Sequence, residues 1–184
     1  SNPSIENQTK AIRYLDSLLV NREDIINIAL IRPNGQIITN DQEGIIKANI
    51  DFTAEPYYYE AVNSDEMYVS SSHVQNILQG QYQWVVSCAR SFDSEKEDSL
   101  GGVVLVDLNF NLIEDMVSRI AIGEKGYIFI INDIGEIIYH PKRELIYSGI
   151  RTEHIEDILS SDSKELKAVV DDESVGYLIS ESVY

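Results

Sequence analysis

A strand–turn–strand pattern occurs twice in the chain, once near its beginning and once in its second half. Residues 28–39 (IALIRPNGQIIT) and 127–139 (YIFIINDIGEIIY) each contain a β-prone run, a polar turn ending in glycine, and an Ile-Ile pair. Polar turns of this kind between β-prone runs are typical of β-hairpins. The repeat therefore predicts an α+β fold in which one antiparallel-sheet unit is used twice in tandem.

A long helix is predicted ahead of the first unit, over residues 4–20, because Ile12, Leu15, Leu18 and Leu19 recur near one face. The predicted organisation is a stalk or spine helix over residues 1–21, a first subdomain with a linking helix over 22–120, and a second, smaller subdomain over 121–184.

The remaining elements follow from the periodicity of apolar residues and from turn signals. The first subdomain is predicted to have a short helix and three further strands before its linking helix, over residues 52–62, 67–74, 81–92, 100–107 and 109–120. The second is predicted to have two strands, a short helical segment and a final hairpin, over residues 126–131, 136–139, 153–159 and 166–180.

The charge and cysteine content restrict the partners of the chain. With 14 basic and 31 acidic residues the formal net charge is −17, which disfavours nucleic acid and anionic lipid as partners. Cys88 is the single cysteine, so no intrachain disulfide can form, and its apolar strand predicts an inert buried thiol.

The sequence reads as a piece of a longer protein. No run approaches the roughly 18 apolar residues of a membrane span, and no signal peptide opens the chain. Ser1-Asn2 resembles a protease-cleavage scar, and Tyr184 falls inside a predicted strand. A membrane association is therefore expected only through flanking segments outside this sequence.

Polar and aromatic side chains suited to binding a small molecule are concentrated between Glu55 and Asp107. Flat apolar walls with a few placed hydrogen-bonding groups are typical of small-molecule sites. The candidate ligand-binding residues are Tyr57, Tyr58, His73, Ser87 and Asp107. The sequence shows no nucleophile–base pair, phosphate-binding loop or metal-ligand spacing, which predicts a ligand-sensing domain that is not an enzyme and uses no cofactor.

Each candidate has a structural alternative. Asp107 either faces a polar cavity or caps the helix predicted to follow it. Tyr57, Tyr58 and Tyr59 cannot all face one way on a helix, and a lone His73 is often a satisfied core or surface residue.

Strand parity predicts which side chains of one strand face the cavity, and residue spacing argues against a metal site elsewhere. Ser87 and Trp84 have opposite parity, so Ser87 is predicted to face the cavity and Trp84 the core. A metal site at His140 and His154 with Glu144 or Glu153 lacks the regular spacing of a helical site.

Several short strings in this order resemble the double Cache (PDC-type) sensor domain of bacterial transmembrane receptors. They are Pro56-Tyr-Tyr58, Ser70-Ser-Ser-His-Val74, Val85-Val-Ser-Cys-Ala-Arg90, Gly102-Val-Val-Leu-Val-Asp-Leu108, Gly123-Glu-Lys-Gly-Tyr-Ile-Phe129 and Gly135 with His140-Pro141. The resemblance covers residues 5–184. It implies a long N-terminal helix and two PAS-like antiparallel-sheet subdomains in tandem, on the extracellular side of the membrane.

The resemblance also implies where a ligand binds and where this chain departs from its relatives. In the amino-acid-binding branch an arginine before the aromatic pair holds the ligand carboxylate and an aspartate on the closing strand holds the amine. Asp107 matches that aspartate, but Glu55 lies where the arginine is expected, so the ion pair to a carboxylate is replaced by repulsion. The expected ligand is a small polar molecule: an amine, an amino-acid-like compound or a hydroxylated compound.

Three short strings are most similar to sensor histidine kinases of Gram-positive bacteria: Ser72-His-Val-Gln75, Val104-Leu-Val-Asp107 and Tyr139-His-Pro141. The leading interpretation is thus the ligand-sensing domain of a two-component receptor. The alternatives are a scaffold domain of a chemoreceptor or cyclase that dimerises along a seam of Leu15, Leu18 and Leu19, and a hydrolase with Asp107 and His73 as an acid–base pair.

Overall fold

The computed structural model describes most of the N-terminal part of the chain and portions of the C-terminal part. The described residues are 3–40, 45–93, 101–120, 126–132, 134–142, 144, 153, 155–160, 166–171 and 174–179, with the side chains of 3–6 and 166–179 left out.

Helices and strands alternate in an α+β order. In chain order they are α1 Pro3–Leu19, β1 Ile25–Ile31, β2 Ile37–Thr39, α2 Pro56–Asn63, β3 Tyr68–Val69, β4 His73–Val74, β5 Trp84–Phe92, β6 Gly102–Asn109, α3 Phe110–Ser118, β7 Ile130–Ile131, β8 Ile137–Tyr139, α4 Ile155–Leu159, β9 Leu166–Asp171 and β10 Ser174–Ile179.

One antiparallel sheet organises the first part of the chain. Its strand order is β2-β1-β6-β5-β3, and β4 pairs with β5 beside β3. The continuous apolar character of β6 predicts a central strand, and β6 does lie between β1 and β5. The predicted α+β class, with an N-terminal helix and antiparallel sheets, is confirmed.

The two faces of this sheet bury different side chains because successive residues of a strand point to opposite sides. One face packs against α2 through Ala29, Ile31, Ala89, Val103 and Leu105. On the other face Val86 packs with Phe110 of α3 and Tyr139 of β8. The second face therefore joins the large sheet to the C-terminal part of the chain.

The first predicted hairpin is confirmed with its turn. β1 and β2 pair antiparallel from Ala29–Thr39 to Ile31–Ile37, and the Arg32 N–H donates to the Gln36 carbonyl at 2.9 Å. Gly35 has a φ of 77°, a conformation that only glycine adopts without strain.

The strand predicted over residues 67–74 is wrong as one element. It is divided into β3 and β4 by residues 70–72. The Ser70 side chain explains the break, because its Oγ accepts the Ser87 N–H at 2.8 Å in place of a backbone carbonyl. The predicted helix over 52–62 is also shorter, since α2 begins at Pro56, which suits the first helical turn.

The C-terminal part contains two small sheets in its described residues, β7–β8 and β9–β10, both antiparallel. The predicted final hairpin is confirmed as β9 and β10, whereas the strand predicted over 126–131 is reduced to Ile130–Ile131. Phe110 lies 5.9 Å from Tyr139 between ring centroids, so α3 connects the two parts.

The face of α1 differs from the predicted dimer seam. Leu15 is 4% exposed and is part of the core of its own chain, so it is not available to a second copy. Leu18 is 44% exposed, and dimerisation through this helix stays a prediction. No helix in the described part of the chain is long and apolar enough to cross a membrane.

Gln75 holds the loop between β4 and β5 in place. Its Oε1 accepts the N–H groups of Ile77 and Leu78, and its Nε2 donates to the carbonyls of Leu78 and Gln81 at 2.7 Å. These bonds place two buried apolar side chains, Ile77 and Leu78, in the core under α2.

Replacing Gln75 by alanine is expected to destabilise the protein by about 2 kcal/mol, because it leaves buried backbone groups without partners. Urea unfolding measures this difference, with Gln83→Ala as the control, since the Gln83 side chain is exposed on the neighbouring segment. Equal stability of the two variants would contradict the role given to Gln75.

Candidate functional site

Three buried polar side chains lie side by side across the centre of the large sheet. In the strand register Asn27 of β1 and Ser87 of β5 both pair with Asp107 of β6, one on each side. Their parity is that of Ala29, Ala89 and Leu105, so they lie on the face that packs against α2. Asp107 itself is 2% exposed. A row of polar groups is thus buried where the pattern of the strands otherwise places apolar side chains.

His73 extends this row from β4. Its Nε2 lies 3.3 Å from the Ser87 Oγ, which in turn lies 2.5 Å from the Asp107 Oδ1. Its Nδ1 lies 3.0 Å from the Ser71 carbonyl and 3.3 Å from the Ser70 Oγ. His73, Ser87 and Asp107 therefore form one hydrogen-bonded chain.

The partners fix the direction of two of these hydrogen bonds. A carbonyl only accepts, so the Nδ1 that faces Ser71 donates to it. The Ser87 hydroxyl donates to the Asp107 carboxyl, and this 2.5 Å bond is the shortest one in the chain from His73 to Asp107.

Burial decides the ionisation of Asp107. Removal from water raises the pKa of this carboxyl, and the hydrogen bond from Ser87, the charge of His73 and the neighbouring Asn27 amide oppose that rise. The amide of Asn27 is close enough to act on the charge, yet neither its Oδ1 nor its Nδ2 makes a hydrogen bond of ordinary geometry within the described residues.

Tyr57 brings a fifth polar group to the same face. Its side chain is buried, and its hydroxyl has no hydrogen-bond partner among the residues that the structure describes. Burial is the main cause of the raised pKa of Tyr57. The charges of Glu55 and Asp107 add to the rise, and the neighbouring Asn76 amide opposes it, although it makes no hydrogen bond of ordinary geometry to the hydroxyl. The hydroxyl therefore lies within electrostatic range of both carboxylates. We call Asn27, Tyr57, His73, Ser87 and Asp107 the polar cluster.

Glu55 is held at the beginning of α2. Its Oε2 accepts a hydrogen bond from the Asn76 Nδ2 at 3.1 Å. As the residue before Pro56 it has extended backbone, as a residue preceding proline should. A second acidic group is thus held at the N-terminal end of α2, within electrostatic range of the Tyr57 hydroxyl.

The other predicted aromatic residues are divided between the site face and the opposite face. Tyr58 is buried in the apolar cluster with Tyr57, Ala61 and Leu105, whereas Tyr59 is exposed. Trp84 packs 6.4 Å from Phe110 on the opposite face of the sheet. The structure thus brings Tyr57, His73, Ser87 and Asp107 together and places Tyr58 in the apolar wall.

The capping alternative for Asp107 is wrong. The N-cap of α3 is Asn109, whose Oδ1 accepts the Asn111 N–H at 3.1 Å. Asp107 points into the polar cluster, where its Oδ1 accepts from Ser87.

Asn27 is the member of the polar cluster that the sequence predictions missed. It is the polar residue in the middle of the apolar run IINIALI, at the parity of the buried Ala29 and Ile31. A buried amide needs hydrogen-bond partners, so a polar residue at a buried position of an apolar strand was the sequence signal for a polar site.

The order of groups does not support a hydrolase. In a catalytic triad the histidine lies between the serine and the acid, so that it takes the serine proton. Here Ser87 lies between His73 and Asp107 and donates to the carboxylate.

The second polar group, around His140, has a structural role. His140 Nε2 lies 3.0 Å from Glu153 Oε1, and its Nδ1 accepts the Lys142 N–H at 2.9 Å. Tyr127 donates to the same Glu153 oxygen at 2.9 Å. Both imidazole nitrogens are engaged, and His154, the other proposed ligand, lies outside the described residues.

A family model described as the Cache domain matches residues 2–180. The chain belongs to the Cache domain family. This confirms the resemblance found in the sequence. No curated protein matches the sequence at a significant level.

Solved structures show the same fold at low sequence identity. The Cache domain is similar to the ligand-binding domain of the Campylobacter jejuni chemoreceptor Tlp3 in complex with 4-methylisoleucine (14% identity, TM-score 0.61, 91% of this chain and 64% of that one). It is similar to that of Pseudomonas fluorescens CtaA with L-alanine (20%, 0.63, 94% and 76%). It is also similar to that of Pseudomonas aeruginosa PctC with GABA (16%, 0.59, 94% and 82%). The chain therefore spans about two thirds of the length of the Tlp3 domain.

Proposed function

We propose that this Cache domain is the extracytoplasmic ligand-sensing part of a bacterial transmembrane signalling receptor and that it binds a small polar molecule at the polar cluster. The observation that carries this proposal is the set of buried polar atoms without partners among the described residues, Asn27 Oδ1, Asn27 Nδ2 and the Tyr57 hydroxyl, beside the Asp107 carboxyl.

Such an arrangement is unfavourable without a ligand. A buried polar atom that lacks a hydrogen bond costs about 1–3 kcal/mol of stability. A ligand that supplies partners for these atoms recovers this cost on binding, so its affinity is concentrated at the polar cluster. Perturbed and unsatisfied groups of this kind are typical of functional sites.

The type of receptor, a sensor histidine kinase, is proposed from short sequence strings. The strings around Ser72, Val104 and Tyr139 favour a two-component sensor histidine kinase. The full-length receptor in membranes, assayed for autophosphorylation on histidine with labelled ATP, tests this. Absence of histidine phosphorylation would favour a chemoreceptor or cyclase.

The contact between the two parts of the chain offers a route for the signal. α3 follows β6 directly, and Phe110 contacts Tyr139 of β8. A ligand that binds Asp107 shifts the receptor only if its affinity differs between two arrangements of the protein. We expect the two arrangements to differ in the packing around Phe110.

A thermal-shift screen against amino acids, amines, carboxylates, sugars and nucleobases tests the binding function. A ligand in hundredfold excess over its Kd stabilises the folded form by about 2.7 kcal/mol, which raises the Tm by several degrees. A panel in which no compound raises the Tm would contradict the proposed function and favour a scaffold domain.

Ser87→Ala and Ser91→Ala locate the site. Ser87 is buried in the polar cluster, and Ser91 is exposed on the same strand. The first change is expected to weaken binding about tenfold, which corresponds to about 1.4 kcal/mol, and the second to leave it unchanged. Equal affinity of both variants would place the ligand elsewhere.

A further inference from the structure

We propose that the C-terminal part of the chain contains a carboxylate-binding site, built on Tyr127 and His140, which the side chain of Glu153 fills in place of a separate ligand. This site lies outside the polar cluster and does not depend on the ligand that binds there.

The strand–turn–strand repeat places Tyr127 where the first hairpin has a member of the polar cluster. The turns at Gly35 and Gly135 have the same pair of backbone hydrogen bonds and positive φ angles of 77° and 86°. Counted back from these glycines, Tyr127 has the position of Asn27 in the repeat. Its ring lies 6.4 Å from that of Phe129, so these alternate residues point to one side of the chain.

Two side-chain donors converge on one oxygen of Glu153. The Tyr127 hydroxyl donates to its Oε1 at 2.9 Å, and the His140 Nε2 lies 3.0 Å from the same atom. The His140 Nδ1 accepts the Lys142 N–H at 2.9 Å, so the neutral imidazole carries its hydrogen on Nε2 and donates it to Glu153. Hydrogen bonds to an ionised carboxylate are stronger than those between neutral groups.

The surroundings of these donors also suit a carboxylate. The His140 side chain is fully buried, and the Glu153 side chain is only 9% exposed. The rings of Tyr127 and Phe129 lie 5.4 Å and 5.7 Å from the imidazole. The Lys142 Nζ lies 5.5 Å from the centre of the Tyr127 ring and places a positive charge beside the site. A largely buried anion is thus hydrogen-bonded and lies near a cation, as burial of charge requires.

The two parts of the chain differ in how their polar groups are satisfied. In the polar cluster the Asn27 amide and the Tyr57 hydroxyl lack hydrogen-bond partners among the described residues. In the C-terminal part Tyr127 and His140 have Glu153 as their partner. The first site can therefore gain hydrogen bonds from a ligand, whereas the second already holds its carboxylate.

Glu153 also fastens α4 to the second hairpin. α4 begins at Ile155, two residues after Glu153. A methyl group on Gly135 would lie only 2.6 Å from the Ile155 Cγ2 and 3.0 Å from the Leu159 Cδ1, so α4 packs directly against the turn between β7 and β8. Loss of the Glu153 carboxylate should therefore loosen α4.

Glu153→Ala, with Glu156→Ala as its matched control, tests the site. The change at Glu153 removes a CH₂–carboxylate group, which has the size of an acetate ion, and Glu156 is exposed on α4. We expect faster hydrogen exchange in α4 of Glu153→Ala, which sodium acetate slows again. Relative to sodium chloride, acetate in tenfold excess over its Kd should raise the Tm of this variant by about 3 °C more than that of Glu156→Ala.

Charge and hydroxyl controls test the assignment of the donors. Ethylammonium has a similar size and the opposite charge and should not replace acetate. Adding Tyr127→Phe to Glu153→Ala should weaken acetate binding about tenfold. The site would be overturned by an equal effect of acetate and chloride on Glu153→Ala, by an equal effect of acetate and ethylammonium, or by acetate binding that does not depend on the Tyr127 hydroxyl.

Glu153→Gln keeps the test decisive if the alanine variant does not fold. The amide retains the shape of the side chain but has no charge, so hydrogen exchange in α4 should be faster than in Glu156→Gln. Equal exchange in the two glutamine variants would overturn the role of the Glu153 carboxylate.

Discussion

Asp107→Asn is expected to raise the Tm of the domain at neutral pH while removing the stabilisation by ligand. The asparagine keeps the shape and can still accept the Ser87 hydroxyl hydrogen, but it has no charge to bury. Substitutions that relieve an unfavourable functional group typically stabilise by about 1 kcal/mol. For a cationic ligand, loss of the only buried carboxylate of the polar cluster is expected to weaken binding about a hundredfold, or about 2.7 kcal/mol.

The pH dependence of this variant has a definite sign. Burial raises the pKa of Asp107, so the folded protein holds this proton more tightly than the unfolded chain does. The stability contributed by the proton is fully present below the unfolded pKa and is lost as pH rises through the folded pKa. The two proteins should therefore be similar near pH 4, and Asp107→Asn should become the more stable one towards pH 7.5.

Urea unfolding of both proteins across this pH range measures the difference. Asp115→Asn is the control, because Asp115 is exposed on α3 and makes the same change of charge. A lower stability of Asp107→Asn at neutral pH would show that the ionised carboxylate stabilises the fold and would contradict the account of the site.

Phe110→Ala is expected to have the largest effect on stability. Phe110 is fully buried between Trp84 and Tyr139, and its removal leaves a cavity at the junction of the two parts. Replacing a buried phenylalanine by alanine typically costs about 3–5 kcal/mol. Hydrogen exchange should also become faster in β8, because Tyr139 loses its neighbour.

Met116→Ala on the same helix is the matched control. Met116 is 71% exposed, so its removal is expected to change the stability by less than about 0.5 kcal/mol. If hydrogen exchange in β8 were the same in both variants, the contact of Phe110 with Tyr139 would not be the connection between the two parts.

The sequence predicted those helices and strands that are determined by residues close together along the chain. The helical spacing of apolar residues located α1 and α3, and the turn at Gly35 located the first hairpin. The pattern did not predict the division between β3 and β4, because its cause is a hydrogen bond to the Ser70 side chain from the backbone of Ser87, which lies on β5 and is distant in sequence.

The candidate site was predicted only in part, because some of its members are recognisable from neighbouring residues and others only from contacts between distant strands. The parity of Ser87 and the position of Asp107 at the end of an apolar strand are local features, and the structure brings both together with His73. Asn27 was missed because its proximity to Asp107 depends on the register between β1 and β6, which lie far apart in sequence. The role of Asn109 as the cap of α3 likewise became visible only from its contact with Asn111.

The side-chain amide of Asn27 gives the most direct test of ligand binding at the polar cluster. In the ¹⁵N-labelled domain its NH₂ resonances are identified by their loss in Asn27→Ala and are followed as compounds of the screen are added. Asn63 is the reference, because its Nδ2 donates to the Tyr59 carbonyl at the exposed end of α2. We predict that a binding compound shifts the Asn27 amide and leaves the Asn63 amide in place. A compound that binds without moving the Asn27 amide would contradict the proposed site.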